Sequence, residues 1–305
     1  MNKPIINPYF ALAIGVVSVS TSAIFVKLAD APAGVIAFYR LFFSFIMIAP
    51  LFLFKYRQSL LQVTKRDWLF SAAAGILLAF HFILWFESLN YTSVASSVVL
   101  VTLQPLFAFV GTYFFFKEKV GVIGIMSGVL AIIGSIIISW GDYQISGWAL
   151  FGNMLALLAC AFVTGYLLFG QDVRKRIDVI PYTFIVYGIS SITLLIYVLL
   201  LGNPLVGYQS SDWMYFILLA LIPTLLGHSL FNWVIKWVST NMISVSILFE
   251  PVGAIILAYF ILNERLTWTQ TIGGVIVMIS VAVFLRTESK PKVASNEKVD
   301  EKAIV

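Results

Sequence analysis

The sequence predicts an all-α polytopic membrane protein, ten transmembrane helices arranged as two inverted repeats of five, on three observations: composition, run length and an internal duplication. Of 305 residues, 61% are hydrophobic and only 11% charged, with a mean hydropathy of +0.99. A water-soluble globule of this size has too little interior to hide that much apolar surface, so lipid is the solvent for most of the chain. Ten runs come close to the roughly 20 residues that carry a helix across about 30 Å of hydrocarbon. Finally, Gln104-Pro105, followed thirteen residues after the proline by Glu118-Lys119, returns 146 residues later as Glu250-Pro251 followed at the same interval by Glu264-Arg265.

Aligned without a gap, residues 93–118 and 239–264 share Ser93/Ser239, Val99/Val245, Pro105/Pro251, Ala108/Ala254, Tyr113/Tyr259, Phe114/Phe260 and Glu118/Glu264. Prolines and acids are rare in apolar segments, so their common spacing marks two copies of one unit. The predicted units are residues 1–143 and 144–286, followed by a polar tail, 287–305, whose Lys, Glu, Asp and Ser composition predicts disorder. Five crossings per unit make the second copy enter the membrane from the opposite side, so the repeats are inverted. That is the geometry of alternating access.

In chain order the predicted spans are 8–27, 33–54, 67–87, 92–115, 120–139, 147–169, 180–201, 213–235, 241–262 and 267–286. Glycine, proline and charge clusters mark most of the joins. Lys3 before an apolar run ending in Ala29-Asp30-Ala31 imitates a secretory signal, but the run is long for a signal core and Pro32 occupies the cleavage position, so the first span is kept. With a cytoplasmic amino terminus, the inner side holds Lys3, Lys55, Arg57, Lys65, Arg66, Lys117, Lys119, Arg174, Lys175, Arg176, Lys236 and five basic residues from Arg286 onward, against Lys27 and Arg265 outside. That asymmetry predicts both termini inside. Trp68, Trp140, Trp148, Trp213 and Trp268 fall near span ends, where interfacial aromatics sit.

Each half ends in a Pro-x12-Glu-[Lys/Arg] segment before its last span. Together with Lys27, the run FYRLFFS at 38–44, GHSLFNWVIKWVST at 227–240 and ILFEPVGA at 247–254, this pattern resembles the EamA family of the drug/metabolite transporter superfamily over nearly everything from Asn7 to Arg286. The resemblance implies a bacterial inner-membrane carrier for small organic metabolites, often an exporter. Lys117 and Asn263 depart from it, standing where many members have glycine before the glutamate.

Polar groups held away from water mark the candidate site. Arg40 lies about seven residues into span two, roughly 10 Å deep at 1.5 Å per residue, where a cation marks a pathway or a partner, or else snorkels outward. Glu250 is the acid placed well inside a span, with Pro251 removing the hydrogen bond to the Ile247 carbonyl and opening the helix. A carboxyl withdrawn from water beside loosened carbonyls can meet an ammonium group or carry a coupling proton. Gln104 with Pro105 is its counterpart in the first repeat. On span eight, weakened by Pro223, Thr224, His228 and Asn232 follow at i+4 steps on one face; His81 and Trp85 do the same on span three. The expected substrate-binding set is therefore Arg40, Glu250, Asn232, His228, Trp85, Gln104, Tyr39 and His81, around a cavity lined by spans two, three, four, eight and nine. Its one buried charge of each sign suits a zwitterion such as an amino acid.

Other classes are expected to be absent. One cysteine, Cys160, and two histidines leave no disulfide framework and too few soft ligands for a metal site. A formal charge of +5, mostly in short loops and the tail, argues against a nucleic-acid partner. No phosphate-cradling Gly-x4-Gly-Lys-[Ser/Thr] loop is present, so nucleotide drive is not expected. Two histidines in different halves and one cysteine make a poor nucleophile, base or metal set, so neither a cofactor nor enzyme activity is expected. The partners expected are a small-molecule substrate, a coupling proton and the lipid bilayer. A lipid flippase and a passive channel remain alternatives to a secondary carrier.

Overall fold

The computed structural model describes residues 4–117 and 121–288, and all regular structure among them is helical. Seven helices are long and apolar enough to cross a membrane: Pro8–Leu28, Ala33–Leu61, Lys65–Tyr91, Val94–Phe115, Gly147–Val173, Val179–Leu200 and Ser210–Val234. Three shorter apolar helices, Val122–Ile138, Glu250–Ile261 and Trp268–Ser280, coincide with the fifth, ninth and tenth expected spans. The ninth is short because it is interrupted, and the reason is local chemistry.

Span nine consists of α12 (Thr240–Ile247) and α13 (Glu250–Ile261), and span four of α5 (Val94–Val101) and α6 (Gln104–Phe116). In both, proline is the second residue of the later helix. There its fixed φ suits the first turn and its missing N–H breaks no bond, whereas in a continuous helix it would. The chain passes each break with the same tight bonds: Leu103 N–H to Leu100 O and Leu106 N–H to Leu103 O in one, Phe249 N–H to Ser246 O and Val252 N–H to Phe249 O in the other.

Span one is also interrupted, between α1 (Pro8–Val19) and α2 (Ser22–Leu28), although no proline or glycine sits there. Hydroxyls do the work. Ser18 and Ser20 donate to the carbonyls four residues back, Ile14 and Val16, and Thr21 donates to Ser18 O, the back-bonding that competes with a helical ladder. Ser20 also lies 3.1 Å from the carbonyl oxygen of Glu250, joining the break in span one to that in span nine. A Cβ on Gly253 would lie 2.6 Å from the Ser20 Oγ, so only glycine permits this approach.

The remaining helices are α3 (Ala33–Leu51), α4 (Lys65–Tyr91), α7 (Val122–Ile145), α8 (Gly147–Val173), α9 (Val179–Leu200), α10 (Ser210–Leu219), α11 (Ser229–Val234) and α14 (Trp268–Glu288). Helix α4 packs along α8 and α9, α3 along α9, and α7 against α14. The last crossing is close because Gly134 and Gly273 face one another; a Cβ on either would lie within 2.7 Å of the other's carbonyl oxygen.

The bundle is tied at both ends through the third residue of a helix. Asp67, capped by Thr64 at the start of α4, accepts from Arg176 at 2.7 and 2.9 Å, and Arg176 also reaches Asp172 at 2.6 Å. Hydrogen bonds to Asp172 and Asp67 push the Arg176 guanidinium well above its ordinary pKa. At the opposite end Asp212, near the start of α10, accepts from the backbone N–H of Asp30 at 2.9 Å and of Gln209 at 3.0 Å.

Glu264 accepts from the N–H of Val94 at 3.0 Å and so caps α5 from the other half of the chain. Glu118, paired with it in the sequence, lies outside the described residues, as does the tail from 289 onward.

Lys117 and Asn263, one repeat interval apart, both end a helix with φ of 57°. A left-handed conformation costs an ordinary L-residue about 1–2 kcal/mol, less for asparagine. Glycine removes that cost but loses some of the gain to unfolded-chain entropy. Lys117→Gly is therefore expected to stabilise the protein by roughly 0.5–1 kcal/mol, and Asn263→Gly to change little. Thermal unfolding in detergent micelles checks this: equal midpoint shifts for the two variants would contradict it.

Candidate functional site

Span eight shows how a local rule of sequence builds the site. Pro223 has no N–H, so the carbonyl of Leu219 loses its usual partner, and residues Ala220–His228 widen into a π-helix. The π-helical ladder takes up Leu219 O through the N–H of Thr224, and the same carbonyl also accepts at 2.7 Å from the Thr224 hydroxyl oxygen, Oγ1. The same oxygen keeps lone pairs free and accepts from Arg40 Nε at 2.8 Å. Arg40 Nη1 donates to Ser22 Oγ at 2.6 Å, and the guanidinium lies 4.0 Å from the centroid of the Phe82 ring. The side chain is wholly buried. No carboxylate among the described residues lies within ion-pair distance of it, and Arg40 Nη2 has no hydrogen-bond partner.

Arg40 faces a central cavity together with Glu250, Gln104, His81, His228, Trp85 and Ser22, the apolar lining being Val19, Val101, Val163, Leu167, Phe231 and Ile247. Free space at its centre is about 20 Å³, room for a water or two and too little for an organic metabolite. The conformation is thus closed around the site. Besides Arg40 Nη2, buried atoms without a partner include Trp85 Nε1, Gln104 Oε1 and His228 Nδ1. A buried unpaired polar group costs about 1–3 kcal/mol, and several around one cavity call for a shared explanation, such as a ligand. His81 Nδ1 lies 2.9 Å from the carbonyl oxygen of Ala159, which can only accept, so Nδ1 carries hydrogen and Nε2 is left over.

Six of the eight expected residues therefore converge: Arg40, Glu250, Gln104, His81, His228 and Trp85. Tyr39 and Asn232 do not. Tyr39 stacks on Phe216 with ring centroids 5.1 Å apart and donates to Leu205 O at 2.5 Å, in the loop before α10. Asn232 accepts from Tyr166 at 2.8 Å through its side chain and from Arg174 at 2.8 Å through its backbone carbonyl. The three members of the i+4 stripe on span eight part company: Thr224 turns to Arg40, His228 to the cavity and Asn232 to Tyr166 on α8. Spans one and six also contribute to the lining, through Val19, Ser22, Val163 and Leu167, beyond the five spans expected. The signal for Ser22 was the hydroxyl run from Ser18; none marked span six.

A second, larger hollow of about 500 Å³ lies between α13 and α14. Its lining is apolar apart from Gln270 and Thr271 and includes none of the cavity's charged groups.

The EamA-like transporter family model matches the chain twice, over residues 7–140 and 150–286. An uncharacterized transporter of Bacillus subtilis, YxxF, is 27% identical over 237 residues, covering 76% of this chain and 75% of its own length. One of Archaeoglobus fulgidus is 26% identical over 280 residues, covering 90% and 95%. A solved crystal structure with 14% sequence identity superposes with a TM-score of 0.67 over 93% of this chain and 98% of its own, so the fold is shared with a protein of very different sequence.

Proposed function

The chain belongs to the EamA-like transporter family, and from that premise we propose that it is a secondary-active carrier moving a small zwitterion of the amino-acid type by alternating access. That it is a multi-pass membrane transporter for a small molecule follows from the family and from its apolar helices. The finer reading rests chiefly on one observation: a buried arginine whose side-chain hydrogen bonds, among the described residues, go to neutral hydroxyls, facing a cavity that also holds Glu250. Such a cation keeps its charge for a ligand, because no carboxylate among the described residues touches it.

In this reading Arg40 receives the substrate's carboxylate, and Glu250 meets its ammonium group or carries the coupling proton. Trp85, His81, His228 and Gln104 supply the remaining polar contacts. The ten crossings, the inverted halves divided near residue 143, cytoplasmic termini in a bacterial inner membrane and net export belong to the same proposal. The duplicated breaks at Gln104-Pro105 and Glu250-Pro251 support it, as they would give the two halves like hinges around one site. A lipid flippase is less well supported, since the larger hollow is apolar and its lining is separate from the charged cavity.

The test is flux. Purified full-length protein in liposomes loaded with a radiolabelled amino-acid mixture is expected to release label faster than empty liposomes do. Equal release from both would remove the amino-acid reading.

A further inference from the structure

We infer that Thr224 is a positioning residue for Arg40, and that the Pro223 break tunes how the site tells a carboxylate from its neutral analogue. The inference rests on Arg40 receiving a substrate carboxylate. A guanidinium carries five N–H groups. Thr224 takes the one on Nε and Ser22 takes one on Nη1, which leaves the second hydrogen of Nη1 and both on Nη2. With Nε held by Thr224, the edge left to grip a carboxylate with two parallel bonds is Nη1–Nη2, where Nη2 has no partner.

Thr224 can accept from Arg40 only while its own hydroxyl hydrogen points elsewhere, and the carbonyl that receives that hydrogen is Leu219 O, whose α-helical donor Pro223 lacks. The chain of dependence is thus Pro223, Leu219 O, Thr224 Oγ1, Arg40 Nε. Ser44 reinforces it from α3, donating to the Arg40 carbonyl at 2.7 Å and lying 3.4 Å from the carbonyl oxygen of Ala220, where the π-helix begins. Valine has the shape of threonine but can neither accept from Nε nor donate to Leu219 O. In Thr224→Val the guanidinium is free to rotate Nε toward the cavity, and the fixed edge is lost.

The experiment measures competition for efflux of the radiolabelled amino-acid mixture from proteoliposomes by unlabelled amino acids and by their carboxamides. Wild-type protein is expected to prefer the acids by about a hundredfold, the worth of a charged two-bond contact. Thr224→Val is expected to lower that preference about tenfold, and Thr224→Ser to restore it. A merely structural residue would change the amount of folded protein and leave the ratio alone. Pro223→Ala serves as the second variant. It returns an N–H to Leu219 O and so lets the π-helix revert to the α register, which rotates the Thr224 hydroxyl away from Nε, and a fall in the same ratio is expected there too. Wild-type preference retained in folded Thr224→Val, or in Pro223→Ala should the valine variant not fold, overturns the inference and leaves the Arg40 reading standing. No acid preference in the wild-type protein overturns both.

Discussion

Replacing Arg40 with alanine is expected to slow amino-acid flux through reconstituted protein by at least about a hundredfold, and Arg40→Lys to recover little of it. Removing one partner of a buried charged contact costs about 2–5 kcal/mol, and each 1.4 kcal/mol is a factor of ten. The alanine variant loses the substrate's cation and also leaves the Ser22 hydroxyl and the Arg40-facing lone pair of Thr224 without a donor. Lysine retains the charge, but one ammonium cannot span Ser22 on span one and Thr224 on span eight while offering a two-bond edge to a ligand. The stacking on Phe82 at 4.0 Å also favours a flat guanidinium. The measurement is initial efflux of label at equal amounts of monodisperse protein. Flux in Arg40→Ala within about threefold of wild type would mean that the buried arginine only braces spans one, three and eight.

How far the site was legible in the sequence depends on which constraint each residue obeys. Arg40 and Glu250 stand out because charge in an apolar run is costly whatever the fold, and both reach the cavity. The breaks at Pro105 and Pro251 follow from proline's missing N–H, again independent of context. Rotation about the helix axis is harder to read. Tyr39 adjoins Arg40 in sequence but points about 100° away on an α-helix, into the aromatic cluster with Trp213 and Phe216. Asn232, one helical turn past His228, is taken by Tyr166 on α8, a partner the sequence does not announce. The break in span one is invisible to a search for glycine and proline, because serine and threonine hydroxyls cause it. Lys117 and Asn263 show the converse. Both were conspicuous as departures from glycine, and both take the backbone conformation glycine tolerates.

Glu250→Gln is expected to uncouple flux from an imposed pH gradient while sparing substrate exchange. The substitution keeps shape and hydrogen-bonding capacity and removes only the ionisable oxygen. Gln104 occupies the same place in the first repeat, as the first residue of a helix with proline second, and its own side chain lines the same cavity. A glutamine at 250 therefore makes the two breaks alike and introduces no group the site does not already hold. Glu250 is 6% exposed and lies beyond ion-pair distance of Arg40 among the described residues, so its removal strands no partner charge. If its carboxyl carries the coupling proton, wild-type proteoliposomes will show efflux that responds to a pH step. The variant will show none, yet will still exchange internal label for external amino acid within about threefold of wild type, since exchange needs no net proton movement. A variant that responds to the pH step as wild type does excludes Glu250 as the proton carrier. Loss of exchange along with coupling would assign the carboxylate to the substrate's ammonium group, because removing that contact weakens binding in every mode of transport.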